Sequence, residues 1–301
     1  MRKRFLLVIV MIMIGFFPAT QVTVNAADGV TTGWYKEGNN WYYRDSQGKL
    51  YYGWHDIGEK RYYFDPVNAY MYSGGWRYVE ASGKEYYFTS SGDAYTGWYE
   101  DTAIGEKFYF KEGQYFTGWL ASDGNWYYFD NGRMVHDKDV YTINGLHYGF
   151  KENGIMRKSW YEKRTTLEDG TVDVDWYYYV ESGQAVEGWK EVGGIPYYFI
   201  NGWLVDDGVR YIGEAGITYG FNSDGTKMTS KWYYDKWYNE WYYFNEDGTG
   251  RTGWVGNGNN TWYYCVNGKM LRNCWYKTGE NEYSHFDSNG VWTGTSSTPG
   301  K

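Results

Sequence analysis

The chain has 301 residues, a formal charge of −8, 23% aromatic side chains, 41 glycines and only 4 prolines. This much aromatic surface argues against a disordered chain, which would collapse or aggregate, and against an ordinary enzyme with an aliphatic core. Tyrosine and tryptophan bury a large apolar body and keep a polar tip hydrated, so the composition predicts an extended, glycine-punctuated all-β protein. The acidic charge argues against nucleic acid and anionic lipid as partners.

The first 26 residues have the layout of a secretory signal peptide. Three basic residues, Arg2 to Arg4, precede an apolar run from Phe5 to Phe17 and a small-residue site that ends at Ala26. The apolar run is too short to span a bilayer. Cleavage at residue 26 removes those three cations from 29 Lys+Arg set against 37 Asp+Glu, so the mature charge is about −11. We therefore expect a secreted, cell-surface or cell-wall-associated protein without membrane insertion.

An internal repeat fills the rest of the chain. A tetrapeptide typified by Trp41-Tyr42-Tyr43-Arg44 recurs twelve times at spacings of 19 to 29 residues. Turns such as Asn131-Gly132 and Asp247-Gly248 separate the copies and supply positive φ at low cost. A lone β-hairpin is marginal in water, and stacking stabilises it. We predict a solenoid of about twelve stacked hairpins over residues 27–293.

Each tetrapeptide follows an aromatic residue, which we call the anchor and which is usually the tryptophan of a Gly-Trp pair. The twelve anchors are Trp34, Trp54, Trp76, Trp98, Trp119, Tyr141, Trp160, Trp189, Tyr211, Trp232, Trp254 and Trp275. Strand geometry places tetrapeptide positions 1 and 3 on one face and positions 2 and 4 on the other. Positions 2 and 4 are aromatic in 21 of 24 cases, which predicts that they form the core. Position 1 varies from Trp41 to Glu85, so it is expected to face solvent, where an exposed tryptophan suggests ligand stacking.

Two irregular segments interrupt or end the pattern. Residues 162–175 form an insertion in the seventh unit, which we expect to lengthen the hairpin turn, either as a tolerated surface insertion or as a partner-contacting loop. Residues 294–301 are predicted to be a disordered tail.

Little in the sequence suggests catalysis or metal binding. The four histidines have no metal or triad spacing, and the acidic residues are scattered without the pairing that a glycosidase needs. We expect no enzyme activity, no metal and no cofactor. Cys265 and Cys274 could form a disulfide in an exported protein or remain free thiols.

The segment from Gly118 to Met134 resembles the cell-wall-binding repeat of the choline-binding proteins of Gram-positive bacteria, as do the segments Gly33 to Tyr43 and Gly253 to Tyr264. Residues 143–150 and 217–221 are more similar to the related repeats of glucan-binding proteins and clostridial toxins. The resemblance implies a left-handed superhelix of hairpins with a site between consecutive hairpins. There the anchor and position-1 tryptophans of one hairpin, with a tyrosine from the next, enclose a choline head group through cation–π contacts.

Both tryptophans are present in five units: Trp34/Trp41, Trp119/Trp126, Trp160/Trp176, Trp232/Trp241 and Trp254/Trp262. The third ring is expected from position 3 of the next strand, because that position shares a face with position 1. This rule assigns Tyr63, Tyr198 and Tyr264 to the first, third and fourth pairs, whereas the second pair meets Gly149 and the fifth meets His285. We therefore expect three complete cages and two incomplete ones.

Two functions follow from the resemblance. The first is a non-catalytic secreted protein that attaches to choline-bearing or related teichoic polymers of the cell wall. The alternative is a secreted adhesin that binds glucan or host glycans. The complete cages favour the first function, and the units without a second tryptophan favour the alternative.

Overall fold

The computed structural model describes residues 23–24, 31–214 and 216–300. The predicted signal peptide, residues 1–26, lies outside the described residues except for Thr23–Val24. The described part of the chain is built of strands, with a single short 3-10 turn at Glu80–Ser82 and no α-helix. No helix in these ranges is long and apolar enough to cross a membrane. The all-β class of hairpin repeats is confirmed.

The chain divides into two compact units, the first ending at His136 and the second beginning at Asp137. In its described residues the first unit contains five antiparallel hairpins, numbered 1 to 5. Its strands are β1 (Thr23–Val24), β2 (Thr31–Glu37), β3 (Asn40–Arg44), β4 (Gly53–Ile57), β5 (Lys60–Phe64), β6 (Gly75–Val79), β7 (Lys84–Phe88), β8 (Gly97–Asp101), β9 (Glu106–Lys111), β10 (Gln114–Tyr115), β11 (Gly118–Ser122), β12 (Asn125–Asp130) and β13 (Arg133–Met134).

The second unit contains hairpins 6 to 12 in its described residues. Its strands are β14 (Lys138–Ile143), β15 (Leu146–Phe150), β16 (Ser159–Thr166), β17 (Val172–Tyr179), β18 (Gly188–Val192), β19 (Ile195–Ile200), β20 (Trp203–Leu204), β21 (Gly208–Ile212), β22 (Ile217–Phe221), β23 (Trp232–Asp235), β24 (Glu240–Tyr243), β25 (Gly253–Gly256), β26 (Trp262–Val266), β27 (Lys269–Met270), β28 (Cys274–Gly279), β29 (Glu282–Phe286) and β30 (Trp292–Ser296).

Tight turns between the two strands of a hairpin set its register. In hairpin 6, Asn144 and Gly145 have φ of 50° and 80°, and the residues on either side of them, Ile143 and Leu146, pair directly. Positive φ at both central residues is the type I′ geometry, which matches the twist of the flanking strands. The register therefore follows from turn chemistry that is visible in the sequence.

Short closing strands bond three of the hairpins to the hairpin before them. β13 pairs with β12 of hairpin 5 and with β9 of hairpin 4. β20 and β27 make the same two connections for hairpins 7 and 8 and for hairpins 10 and 11. Backbone hydrogen bonds therefore join successive hairpins in addition to side-chain packing.

The core lies mainly at position 4 of the tetrapeptide, one of the two positions predicted to form it. The fully buried rings at this position include Phe64, Phe88, Phe129, Phe150, Tyr179, Phe199, Phe221, Phe244 and Phe286. Cys265 is buried at the same position of hairpin 11. Position 2 is buried in some hairpins, as at Tyr62 and Tyr242, and only half-buried in others, as at Tyr86 and Tyr177.

Position 1 is open to solvent in most hairpins, but the expectation is wrong for Thr218. That residue is fully buried because its amide and carbonyl bond to Asn267 and Gly250 of the segments that follow.

The insertion lengthens the strands of hairpin 7 and not its turn. β16 and β17 each have eight residues in continuous register from Ser159↔Tyr179 to Thr166↔Val172, leaving a short turn that starts at Leu167. Lys163 on the extended strand lies 2.8 Å from Asp139 of hairpin 6. The hydrogen bond that the Lys163 ammonium donates to Asp139 raises the pKa of Lys163 above its ordinary value. The lengthened strand is therefore joined to the neighbouring hairpin by an ion pair.

The end of the chain differs from the expectation of a disordered tail. β30 pairs with β29 as far as Ser296, so residues 294–296 belong to a strand. Gly300 lies against the ring of Trp275. With no further hairpin behind it among the described residues, the last anchor is covered by the tail.

Cys265 and Cys274 are free thiols in the structure. Cys265 points into the core with Val255 and Met270, and its burial raises the pKa of its thiol to about 12. Cys274 begins the next hairpin and pairs with Phe286.

Candidate ligand-binding cages

The anchor tryptophans lie between consecutive hairpins. Trp232 meets Tyr243, at position 3 of its own hairpin, with ring centroids 5.1 Å apart, and Tyr263, at position 2 of the next, at 5.2 Å. A hairpin inside a stack has a neighbour on each face, so the face with positions 1 and 3 meets the face with positions 2 and 4 of the hairpin that follows. Both faces of an internal hairpin are therefore packed.

This arrangement corrects the predicted third rings. The tyrosines assigned to that role pack on the anchor of their own hairpin: Tyr63 on Trp54 at 5.0 Å, Tyr198 on Trp189 at 5.1 Å and Tyr264 on Trp254 at 5.2 Å. The rings that the structure brings to the paired tryptophans are their position-2 neighbours: Tyr62 on Trp34 at 4.9 Å, Tyr197 on Trp160 at 5.4 Å and Tyr263 on Trp232 at 5.2 Å. The prediction failed because it assumed that like faces meet.

A fourth wall comes from the residue that pairs across from position 4 in the segment after each hairpin, which we call the closing position. The closing residues are Leu50, Met71, Ala94, Tyr115, Met134, Met156, Ala185, Leu204, Lys227, Gly250, Met270 and Trp292. Met71 packs with Trp34 and Trp41, and Leu204 packs with Trp160 and Trp176. Sequence reasoning missed this wall, although its residue follows each closing turn at a regular place.

The cage around Trp232 and Trp241 is an open cavity of about 530 Å³. The two indoles are 6.4 Å apart and nearly perpendicular at 84°, and Trp241 is 41% exposed. The lining residues are Trp232, Trp241, Asn257, Tyr263, Met270, Arg272, Ser288 and Asn289. The cavity therefore has apolar ring walls and a polar rim.

The only charged lining residue is held by an ion pair. Arg272 lies 3.2 Å from Glu240, which also pairs with Lys269 at 2.9 Å, and it donates to the carbonyl of Asn239. The guanidinium is thus fixed at the edge of the cage.

Two further tryptophan pairs have a tyrosine as third ring. Trp160 and Trp176 are 6.2 Å apart at 85°, which matches the geometry of the Trp232 cage. Trp34 and Trp41 pack together on Tyr62 and Met71. Burial raises the pKa of Tyr62 to about 12, so its ring stays neutral at physiological pH.

The remaining two pairs differ from this form. Trp119 and Trp126 have the same near-perpendicular geometry, at 6.3 Å and 82°. Trp254 and Trp262 do not meet the predicted His285, which packs on Trp275 at 5.0 Å. Instead Trp292, from β30, completes a cavity of about 350 Å³ lined by three indoles.

Two anchors carry a cation from the chain itself. The guanidinium of Arg61, at position 1 of hairpin 2, lies 5.0 Å from the ring centroid of Trp54. The ammonium of Lys227, at a closing position, lies 5.5 Å from that of Trp189. These distances are typical of cation–π contacts. The junctions at these anchors are therefore occupied by side chains.

Among the described residues, no group of three or more His, Cys, Asp or Glu side chains could hold a metal ion.

Residues 32–50 and 117–132 match the family model for the cell wall binding repeat. The chain carries cell wall binding repeats. Glucosyltransferase-I of Streptococcus downei is 27% identical over 326 aligned residues, which cover 84% of this chain and 20% of the relative. An endo-β-N-acetylglucosaminidase of Streptococcus pneumoniae is 32% identical over 27% of this chain and 12% of the relative. The chain thus spans a fifth or less of the length of these curated relatives.

The fold is also found among solved structures. CbpJ from Streptococcus pneumoniae TIGR4 is 25% identical, with a TM-score of 0.51, and the likeness covers 86% of this chain and 99% of that chain. The aromatic cages lie at the junctions between the repeats.

Proposed function

We propose that the chain is a non-catalytic binding protein, secreted and held at the cell surface, that attaches to choline-bearing or related teichoic polymers. The observation that carries this proposal is the Trp232 cage. Its perpendicular indoles, the ring of Tyr263 and the thioether of Met270 surround an open cavity. A quaternary ammonium cannot donate hydrogen bonds and loses water easily, so aromatic faces are a suitable host for it.

Charge supports a cationic ligand. The chain has a formal charge of −8, which favours approach of cations. Its own Arg61 and Lys227 lie on anchor rings at junctions that lack the second tryptophan. In hairpins that have a position-1 tryptophan, the corresponding space in front of the anchor is an open cavity. A cationic ligand therefore suits that cavity.

The alternative is a secreted glucan-binding or host-glycan-binding adhesin. It is supported by relatives that are named glucosyltransferases and by hairpins 6 and 9, which lack the Gly-Trp tryptophan. The predicted anchors of these hairpins, Tyr141 and Tyr211, pair with positions 2 and 1 and not with position 3, so they do not take the place of an anchor tryptophan. Tyr211 is exposed, and flat exposed rings stack on sugars. The rim of the Trp232 cage also presents Asn257, Ser288 and Asn289, whose polar groups could bond to sugar hydroxyls.

The domain organisation belongs to the same proposal. Residues 1–26 would direct export, and the repeats from residue 27 onward would bind the wall polymer. The matched relative from a pneumococcus and the family description, cell wall binding repeat, support this placement.

Calorimetric titration with choline tests the proposal. We expect Trp241→Ala to weaken binding at its site about ten-fold, because loss of one ring from a desolvated cage costs about 1–2 kcal/mol. Trp237→Ala is the matched control, since Trp237 is in the same hairpin, is 90% exposed and lines no part of the cage. Equal choline binding by Trp241→Ala and wild type, together with saturable binding of an α-glucan, would favour the adhesin.

A further inference from the structure

The last complete junction of the chain has a different cage. Between hairpins 11 and 12, position 2 of the following strand is Ser284 and not an aromatic residue, and its hydroxyl is buried against Thr278 at 2.8 Å. The closing position at this junction is Trp292, which pairs with Phe286. An indole therefore takes the place that Met270 has in the Trp232 cage.

The three indoles form an aromatic box. Trp254 is 6.5 Å from Trp262 at 86° and 5.9 Å from Trp292 at 87°. Two tryptophans thus stand nearly perpendicular to a third. The cavity of about 350 Å³ is within the range of small-ligand pockets.

The lining of the box is free of charge. Trp254, Trp262 and Trp292 line it, whereas the Trp232 cavity includes the guanidinium of Arg272. The guanidinium at the rim of the Trp232 cavity opposes binding of a second cation, although its ion pair with Glu240 reduces this repulsion. Tryptophan also gives the strongest cation–π contact of the aromatic side chains. Both differences favour cation binding in the box over the Trp232 cage.

The chain contains its own precedent for a cation at this place. Lys227 occupies the closing position after hairpin 9, and its ammonium lies over Trp189. The closing position therefore reaches the space in front of the preceding anchor. When the closing residue is Lys227, its side chain fills the space in front of the anchor. When the closing residue is Trp292, that space is an open cavity lined by indole rings.

We propose that Trp254, Trp262 and Trp292 form the highest-affinity site for a quaternary ammonium ligand in this chain, with Trp292 as the residue that sets its affinity. This inference rests on the proposed function and adds a ranking of the sites. Choline is the probe, and 3,3-dimethylbutan-1-ol, which has the same shape without the charge, is the neutral comparison.

The test is titration of the full chain by calorimetry. We expect Trp292→Ala to remove the tightest class of choline sites, lowering their affinity at least ten-fold. Trp292→Met, which restores the usual closing residue, should leave an ordinary site that is weaker than wild type by about five-fold. The neutral alcohol should bind the box at least ten-fold more weakly than choline does. Trp262→Ala, on the opposite wall of the box, should also lower the affinity of the tightest choline sites at least ten-fold. This second variant tests the same site if Trp292→Ala folds poorly.

The outcomes separate this inference from the proposed function. If Trp241→Ala weakens choline binding but Trp292→Ala and Trp262→Ala leave the tightest sites unchanged, the ranking is wrong and the proposed function stands. Equal binding of choline and the neutral alcohol at the tightest sites also overturns the inference. If wild type binds no choline, both fail. Trp237→Ala serves again as the control, with melting temperatures recorded for every variant.

Discussion

At the scale of single residues, two glycines show how closely the hairpins approach. Gly149 and Gly220 stand at position 3, where most units have tyrosine. A Cβ on Gly149 would lie 2.5 Å from the ring of Tyr179, and one on Gly220 would lie 2.4 Å from that of Phe244. The core ring of the next hairpin therefore occupies the space that a side chain would need. Gly149, predicted to leave one cage without its third ring, is therefore required by the packing of Tyr179.

We expect Gly220→Ala to lower the free energy of unfolding by about 1–3 kcal/mol, because the added methyl overpacks a core that cannot move easily. Phe244 is fully buried. Gly279→Ala is the control, since its Cβ would meet only Glu282, an exposed side chain, at 3.2 Å. Urea denaturation of both variants measures the difference, and equal midpoints would contradict the close approach.

At the scale of the element, each hairpin junction is either open or filled. The junction between hairpins 2 and 3 is filled by Arg61. Its guanidinium covers Trp54 and pairs with Glu112 at 2.5 Å. The next hairpin supplies Tyr86 at 4.8 Å from Trp54, so this junction already has two rings of a cage. It lacks the second tryptophan, and its closing residue is the small Ala94.

We expect Arg61→Trp to add one choline site per chain, because the substitution removes the internal cation and supplies the missing indole. Arg61→Ala is the matched control, since it removes the cation without adding a ring, and it should leave the stoichiometry close to that of wild type. The number of choline molecules bound per chain is measured for both variants by calorimetric titration. A folded Arg61→Trp protein with an unchanged number of sites would show that two tryptophans and a tyrosine do not suffice.

At the scale of the whole molecule, the repeats extend through both units, and the described residues contain twelve hairpins. The chain matches 20% or less of its glucosyltransferase relatives. Its similarity to those enzymes is therefore consistent with a shared binding region and does not by itself imply their activity.

We expect the purified chain to release neither reducing ends from glucans nor muropeptides from peptidoglycan, because the Trp232 and Trp254 cavities are lined by aromatic side chains and by no Asp or Glu of the described residues. Reducing-sugar assays and chromatography of wall digests measure this directly. Reproducible turnover that persists in the Trp241→Ala variant would establish a catalytic site apart from the cages.

The sequence alone determined the repeat, the strands and the buried position. The alternation of aromatic residues follows from the two-residue period of a strand, and turns such as Asn144-Gly145 follow from the φ values that their residues allow. These are local properties, so a single sequence reveals them. The pairing of anchor and position-1 tryptophans is local too, since both lie in one hairpin.

Only the tertiary structure decided which faces meet. Tyr62 and not Tyr63 reaches Trp34, because one face of a hairpin packs on the opposite face of the next. The closing position lies in the segment after the neighbouring hairpin, so the contacts of Lys227 and Trp292 with their anchors join residues that are 38 positions apart. Strand periodicity fixes where a side chain points within its own hairpin, but the direction of stacking decides what that side chain meets.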